Sequence, residues 1–279
     1  MPVDVLPLEL SAKWQRLCGI FAAAKSCVVA FSGGVDSSLL ALAAQRALGE
    51  RATAVYLTGE SATKQERQIA QTIAAEIGIR LLVMQGDEFD NPDFVKNGVD
   101  RCYHCKKARF TQLLNWGRAN DVELLAEGSN ADDSCDYRPG QRAGVELGIR
   151  TPLAESGLSK NEIRQLLRHF GLSNWDLPST PCLATRLAYD LPLTSERLKR
   201  VAEAEAFLSQ QGITPVRVRL HADDLARIET TPEHIARFGN VTLRECVAAK
   251  LTELGFLFVS LDLSGFQSGS MNRGIVKEE

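Results

Sequence analysis

A six-residue segment near the N-terminus constrains the fold of this chain more than any other feature. It reads Ser-Gly-Gly-Val-Asp-Ser at residues 32–37 and directly follows an apolar run at residues 27–31. The next segment, residues 38–49, is rich in leucine and alanine and closes on a glycine. This order predicts a β-strand, a tight turn and an α-helix. Two successive glycines allow the backbone to turn sharply and to expose its N–H groups.

The turn is a candidate phosphate site because exposed N–H groups and the positive end of a helix both attract anions. The residues assigned to it are Ser32, Gly33, Gly34, Val35, Asp36, Ser37 and Ser38. A carboxylate repels a bare phosphate, so we assign Asp36 to a Mg²⁺ ion that the phosphates share. No Lys-Ser or Lys-Thr follows the glycines, so the pattern is not a Walker A motif. A plain strand-to-helix turn is the alternative interpretation.

Composition narrows the class of protein. A chain of 279 residues, 44% hydrophobic and 24% charged, is typical of a globular protein with two domains. A net charge of −3 counts against a dominant nucleic-acid surface. We expect no membrane span, because no apolar run is long enough, and no secretory signal at the N-terminus. The seven cysteines are neither dense nor regularly spaced, which favours a reducing cytoplasm over a disulfide scaffold.

The order of elements predicts an α/β fold. Strand candidates at residues 27–31, 52–57, 79–84, 122–126 and 149–153 alternate with helices, one of them from about 105 to 119. Such alternation predicts a parallel sheet with helices on both faces. A proline-rich stretch then separates a nucleotide-binding domain, 1–178, from a small mixed α/β domain, 179–279. Ligands of parallel sheets bind at the carboxyl ends of the strands, which brings Leu57, Glu127 and Asn130 to the nucleotide.

Three cysteines stand in settings that suggest chemistry. Cys102 and Cys105 form a C-x-x-C pair, and basic neighbours such as Lys106 lower thiol pKa values. Zinc, redox and iron–sulfur chemistry are all compatible with that spacing, as are two ordinary cysteines near a helix start. Cys182 lies in a proline-flanked loop, four residues before Arg186.

Six motifs occur together in one order: Ser-Gly-Gly-Val-Asp-Ser, Arg-Cys-Tyr-x-Cys-Lys, Glu-Gly-x-Asn-x-Asp-Asp, Pro-Cys-Leu-Ala-Thr-Arg, Arg-Val-Arg and Gly-Phe-Gln-Ser-Gly-Ser. The first is similar to the pyrophosphate loop of the ATP pyrophosphatases. As a set, the motifs resemble those of the LarE family, ATP-dependent sulfur transferases that build the nickel-pincer cofactor of lactate racemase. The resemblance covers essentially the whole chain.

The resemblance implies a reaction. ATP adenylates a carboxylate of a pyridinium dicarboxylate mononucleotide, and sulfur then displaces AMP to give a thiocarboxylate. It implies ATP and Mg²⁺ as cofactors and a homo-oligomer, a trimer or hexamer. The three cysteines match the form of the family in which Cys102, Cys105 and Cys182 hold a [4Fe–4S] cluster. Two alternatives remain: a zinc site completed by His104, and a Cys182 that gives up its own sulfur.

Further positions are assigned to the substrate. Arg217 and Arg219 are two apart on a predicted strand, so they share a face and suit a phosphate. Arg186 is a candidate for the substrate carboxylate, and Lys106 for a phosphate or for the cysteine thiolates. Glu205 matches a family position near the substrate.

Two other functions are alternatives to sulfur transfer to a small molecule. A tRNA thiolase can combine the same loop with three cysteines, but it predicts a basic surface that the net charge does not favour. A non-catalytic nucleotide-binding or metal-storage module would keep the fold, but it has no need of Asp36, Glu127 and three cysteines together.

Overall fold

The computed structural model describes residues 6–59, 62–135, 139–178, 181–267 and 269–271. Ser268, part of the last motif, lies outside them. The α-helices are α1 Leu8–Ala22, α2 Val35–Leu48, α3 Lys64–Ile77, α4 Pro92–Val95, α5 Arg101–Ala119, α6 Pro139–Glu146, α7 Pro152–Glu155, α8 Lys160–His169, α9 Ser195–Gln210, α10 Pro232–Arg237 and α11 Val241–Glu253. The strands are β1 Cys27–Ala30, β2 Ala52–Thr58, β3 Arg80–Gln85, β4 Leu124–Ala126, β5 Val216–Leu220, β6 Leu225–Thr230 and β7 Phe258–Leu261.

The chain divides into two compact units. Unit 1 comprises Met1–Asn91 and Cys102–Thr180, and unit 2 comprises Pro92–Arg101 and Pro181–Glu279. Unit 1 contains a four-stranded sheet in the order β3-β2-β1-β4, and all its pairings are parallel. This confirms the predicted α/β fold with a parallel sheet.

Both faces of this sheet are covered, because side chains alternate along each strand. On β1, Cys27 and Val29 belong to a large apolar cluster with residues of α1, α2, α3 and α8. Val28, between them, belongs to a second cluster that includes Phe110 and Leu113 of α5. The nearly continuous burial of β2 follows from the same two-sided cover.

The strand order creates a crevice beside β1. This strand lies between β2 and β4, so the chain connections on its two sides lead in opposite directions. Ligands of open parallel sheets bind at such a point, at the carboxyl ends of the strands. The segment after β1 is residues 32–37, and the segment after β4 begins with Glu127.

Two predicted elements differ in the structure. The fifth strand candidate is reduced to a single bridge between Arg150 and Ala126, because Pro152 lacks an N–H and begins α7. The helix predicted from about residue 105 begins at Arg101, so Cys102 and Cys105 lie inside its first two turns rather than ahead of it. No glycine or proline lies between Arg101 and Cys105, so nothing in the sequence delays the start of the helix to residue 105.

Unit 2 contains a small mixed sheet, as predicted. Strand β5 pairs antiparallel with β6, and β7 pairs parallel with β6. Helix α9 packs on β5 through side chains that include the fully buried Val201 and Leu208.

Candidate functional site

The turn after β1 is held by hydrogen bonds between its serine hydroxyls and its own backbone groups. The hydroxyls of Ser32 and Ser37 lie 3.1 Å apart, and the Ser37 hydroxyl also donates to the Gly34 carbonyl at 3.1 Å. The Gly34 N–H donates to the Ser32 hydroxyl at 3.3 Å. Gly34 is the N-cap of α2, so Asp36 lies in the first helical turn, where the helix dipole favours a negative charge.

Gly33 allows the turn to lie directly against α3. Its φ of +74° is in the left-handed region, and a Cβ there would lie 2.8 Å from the Ala70 Cα and 2.9 Å from the Ala70 nitrogen. The Ala70 backbone cannot move aside as the tip of a side chain could. The left-handed φ and this close contact therefore both require glycine at position 33.

Asn174 holds the turn in place through two side-chain hydrogen bonds, a role that the sequence analysis missed. Its Nδ2 donates at 2.8 Å to the Gly33 carbonyl and at 2.8 Å to the Ser38 hydroxyl. Ser38 in turn donates to the Gly34 carbonyl at 2.8 Å. Asn174 is 5% exposed and lies in irregular chain, where no periodic pattern marks it.

Asp36 makes an ion pair that the sequence analysis also missed. The Lys160 ammonium lies 2.6 Å from its Oδ2, and the Asn130 amide donates to its Oδ1 at 3.4 Å. Burial raises the pKa of Asp36 above its usual value, and Lys160 opposes that shift. Lys160 is the first residue of α8, after a capping box of Ser159 and Glu162. The capping box can be predicted from the sequence, but the contact of Lys160 with Asp36, 124 positions away, cannot.

The segment after β4 packs against the same turn. A Cβ on Gly128 would lie 3.2 Å from the Ser37 nitrogen, so the two segments are in close contact. Glu127 accepts from the Lys106 ammonium at 3.1 Å and from the Ser129 hydroxyl. The predicted residues Glu127, Asn130 and Lys106 therefore lie at the turn, and Lys106 is paired with the Glu127 carboxylate.

A cavity of about 350 Å³ opens between these segments and the end of β2. Its lining includes Ser32, Gly34, Asp36, Leu57 and Glu127. Leu57, predicted at the nucleotide, therefore contributes an apolar wall. Arg109 also lines the cavity and donates to the fully buried Glu88 at 2.7 Å, an ion pair that no sequence pattern announced.

The three predicted sulfur residues occur in both units. Cys102 and Cys105 of unit 1 are three apart on α5, so their thiols lie on one side of the helix. Cys182 of unit 2 is exposed and precedes a 3₁₀ turn at Leu183–Arg186. Within the described residues, no three His, Cys, Asp or Glu side chains are grouped as a metal site. As donor types the three thiolates fit an iron–sulfur cluster.

In unit 2, two predicted arginines are already paired. Arg186 donates to Glu205 at 2.8 and 3.2 Å, and Glu205 also accepts from the Val218 N–H at 3.0 Å. Arg219 donates to Glu229 at 2.9 and 2.8 Å and is 5% exposed. Both guanidinium groups thus hold the unit together.

Arg217 differs from its neighbours. Among the described residues it makes no ion pair, and its buried Nη1 has no hydrogen-bond partner. Burial lowers the pKa of Arg217 to about 10, and the nearby Arg186 adds to that effect. A buried donor without a partner is costly, so this guanidinium is the better candidate of the predicted pair for an anionic ligand.

Known proteins resemble the chain in part and over its whole length. Residues 21–130, which include the turn and Asn130, match the family model described as NAD synthase. An uncharacterized protein of Synechocystis is 41% identical over 269 residues, covering 96% of this chain and 100% of that protein. The pyridinium-3,5-bisthiocarboxylic acid mononucleotide synthase of Lactiplantibacillus plantarum is 34% identical over 274 residues, covering 97% of each chain. The chain belongs to the LarE family.

The resemblance read from six motifs is thereby confirmed. One of the subunits of the glutamine-hydrolyzing GMP synthase of Methanocaldococcus jannaschii is more distantly similar, 27% identical over 203 residues, which are 67% of this chain and 64% of that protein. Membership of the LarE family, with its pyrophosphate loop, implies ATP and Mg²⁺. Across the part of this LarE chain that the structure describes, no helix combines the length and apolar character that a membrane crossing requires.

Proposed function

We propose that this protein is an ATP-dependent sulfur transferase. Its substrate is a pyridinium dicarboxylate mononucleotide, and its products are the thiocarboxylate, AMP and pyrophosphate. The observation that carries the proposal is the turn at residues 32–37, which lines a cavity, with Asp36 among the lining residues. The chain that contains it is 34% identical to a mononucleotide synthase over 97% of its length.

The first half-reaction is the adenylation of a carboxylate. The N–H groups of the turn and the start of α2 bind the phosphates of ATP, while Asp36 and Glu127 supply carboxylate oxygens suited to Mg²⁺. A substrate carboxylate oxygen attacks the α-phosphorus, the bond to the β-phosphate oxygen breaks, and pyrophosphate leaves. This converts a poor leaving group, oxide, into AMP.

The second half-reaction replaces AMP with sulfur. A sulfur nucleophile attacks the activated carbonyl, and AMP departs with the former carboxylate oxygen. A [4Fe–4S] cluster held by Cys102, Cys105 and Cys182 would supply an open iron position for sulfide. The alternatives are a zinc site and a sacrificial Cys182. In the sacrificial route the Cys182 thiolate displaces AMP, and its Cβ–S bond then breaks with loss of the Cα proton, which leaves a thiocarboxylate and dehydroalanine. Lys106 follows Cys105 directly in the chain and lies 3.1 Å from Glu127, and in this proposal its positive charge favours the thiolate form.

Unit 2 supplies the substrate contacts in this proposal. Arg217, with a buried Nη1 that has no partner, binds the substrate phosphate, and Arg219 and Glu205 hold its strand in place. We further propose that residues 1–178 bind the nucleotide, that residues 179–279 bind substrate and mediate assembly as a trimer or hexamer, and that the protein works in the reducing cytoplasm.

The test of the reaction is product analysis under anaerobic conditions. The protein is incubated with ATP, Mg²⁺, sulfide and the dicarboxylate mononucleotide. We expect AMP and pyrophosphate in equal amounts, and a product heavier by the difference between sulfur and oxygen. Pyrophosphate release that requires tRNA instead, or ATP binding without any turnover, would contradict the proposal.

The source of the sulfur has its own test. Anaerobically purified protein should be brown, and Cys102→Ala, Cys105→Ala and Cys182→Ala should each remove the colour, with Cys246→Ala as the control on another exposed thiol. A colourless, zinc-loaded protein argues against the cluster. Mass spectrometry after one turnover separates the remaining routes, because a sacrificial Cys182 loses the mass of H₂S.

A further inference from the structure

The Asp36 carboxylate, which the proposed function assigns to Mg²⁺, is already paired with a lysine ammonium. The Lys160 ammonium lies 2.6 Å from Asp36 Oδ2, and the Asn130 amide is 3.4 Å from Oδ1. Magnesium binds carboxylate oxygens at about 2.0–2.1 Å in a strict octahedron. A metal ion on Oδ2 would lie within a few ångströms of this ammonium, and the two like charges would repel each other at that distance. Binding of Mg²⁺ to Asp36 therefore disfavours one of its two present contacts.

Asn130 is not free to leave. Its N–H donates to Asp133 Oδ2 at 3.0 Å, and its side-chain oxygen accepts from the Asp132 N–H at 2.9 Å. The residue is 4% exposed. Both ends of Asn130 are thus fixed by the segment after β4.

Lys160 has a fixed backbone and a movable side chain. Its N–H donates to Asp132 Oδ2 at 2.8 Å, and the capping box of Ser159 and Glu162 holds the preceding turn. Its side chain is 34% exposed and carries its charge on a flexible four-carbon stem. The ammonium can therefore leave Asp36 without any change in α8.

We propose that Lys160 exchanges partners during the reaction: it neutralises Asp36 when no magnesium is bound, and it binds a phosphate oxygen of ATP once Mg²⁺ takes the carboxylate. A divalent ion on Asp36 would repel the ammonium, and phosphates bound at the start of α2 would offer it new acceptors, because Asp36 lies in the first turn of that helix. After adenylation the same ammonium stabilises the charge on departing pyrophosphate. This inference rests on the proposed function of the turn.

A purely structural ion pair between α8 and α2 makes different predictions. Removing a structural tie would weaken metal and phosphate binding together, or change neither. Removing an exchanging cation should strengthen the binding of a metal ion by itself, because its competitor is gone, and should weaken the binding of phosphate. Opposite signs of the two readouts are therefore incompatible with a purely structural ion pair.

The experiment compares Lys160→Met with wild type. Electron paramagnetic resonance of unbound Mn²⁺ gives the affinity for Mn²⁺ alone, and calorimetry gives the affinity for pyrophosphate with saturating Mg²⁺. We expect Mn²⁺ to bind about tenfold more tightly and magnesium pyrophosphate about tenfold more weakly, as for the loss of one charge-assisted contact. Lys160→Arg should restore most of the pyrophosphate affinity. Lys13→Met is the matched control, since Lys13 binds Glu162 of the same helix cap at 2.7 Å without contacting Asp36, and it should change neither affinity.

Unchanged affinities in Lys160→Met, or a parallel fall of both, would overturn the inference. Circular dichroism checks the fold, and if Lys160→Met is unfolded, Lys160→Gln takes its place because its amide can still donate to Asp36. A wild-type protein that binds neither ATP nor pyrophosphate would contradict the proposed function itself. Normal wild-type binding with an unaffected variant contradicts only the role of Lys160.

Discussion

Replacing Gly33 with alanine should destabilise unit 1 more than any other single methyl addition at a left-handed glycine. The residue has φ +74°, and the new Cβ would lie 2.8 Å from the Ala70 Cα and 3.2 Å from the Ile69 carbonyl carbon. Left-handed backbone costs a non-glycine residue about 1 kcal/mol. Overpacking against rigid neighbours costs about 1–3 kcal/mol. Together we expect the free energy of unfolding to fall by about 2–4 kcal/mol.

Gly78 provides the matched control. It ends the same helix α3 that Gly33 contacts, it also has φ +74°, and a Cβ there meets nothing within 4 Å. Gly78→Ala should therefore cost only the backbone component, about 1 kcal/mol. The difference between the two variants isolates the contact with α3.

Urea unfolding followed by tryptophan fluorescence measures both variants. The three tryptophans, Trp14, Trp116 and Trp175, all belong to unit 1, so the signal reports the unit that contains the turn. A loss in Gly33→Ala no greater than that in Gly78→Ala would refute the reasoning, because the close approach to Ala70 would then carry no energy.

Three more predictions concern the site and the thiols. Asp36→Asn should abolish AMP formation while leaving the fold intact, because it removes the negative charge that Mg²⁺ requires; AMP is measured by chromatography. Asn174→Ala should lower the free energy of unfolding by about 1–3 kcal/mol, since it leaves the buried Gly33 carbonyl without its side-chain donor, and should weaken ATP binding. Burial raises the pKa of Cys18 to about 11 and that of Cys27 to about 12, so at pH 8 both should resist alkylation in the native protein. Because only the thiolate reacts, their labelling should accelerate as pH rises toward these values or when the protein unfolds.

Each of these predictions has an outcome that contradicts it. Activity of Asp36→Asn close to wild type would mean that another carboxylate holds the metal. Unchanged stability and ATP affinity in Asn174→Ala would mean that water replaces its amide without cost. Rapid native labelling of Cys27 at pH 8, at the rate of the exposed Cys246, would mean that β1 opens readily.

The local parts of the site were predictable because their contacts are local. The strand, the turn and the start of α2 are consecutive in the chain, and the hydrogen bonds among Ser32, Gly34 and Ser37 span no more than five residues. Glycine placement and helix propensity therefore determine this segment. The position of Glu127 at the same edge of the sheet also follows from a general rule, because parallel strands place their carboxyl ends at one edge.

Contacts between distant residues could not be predicted in the same way. Arg217 and Arg219 share a face by the period of a strand, but the sequence did not reveal which of them is paired. In the register of β5 and β6, Glu229 is the Cα partner of Arg217, yet its carboxylate binds Arg219 and Arg227. The two arginines have identical side chains, so only their positions in the folded sheet decide which of them reaches Glu229.

By itself, the sequence determined the parallel α/β fold, the glycine turn at residues 32–37 and the membership of the family, because those depend on periodicity, on glycine and on the order of motifs along the chain. Only the tertiary structure decided the partners of the turn. Lys160 reaches Asp36 across 124 residues and Asn174 reaches Gly33 across 141. Such pairs form where the folded sheet and its covering helices bring two side chains within hydrogen-bond distance, and one-dimensional spacing carries no record of that distance.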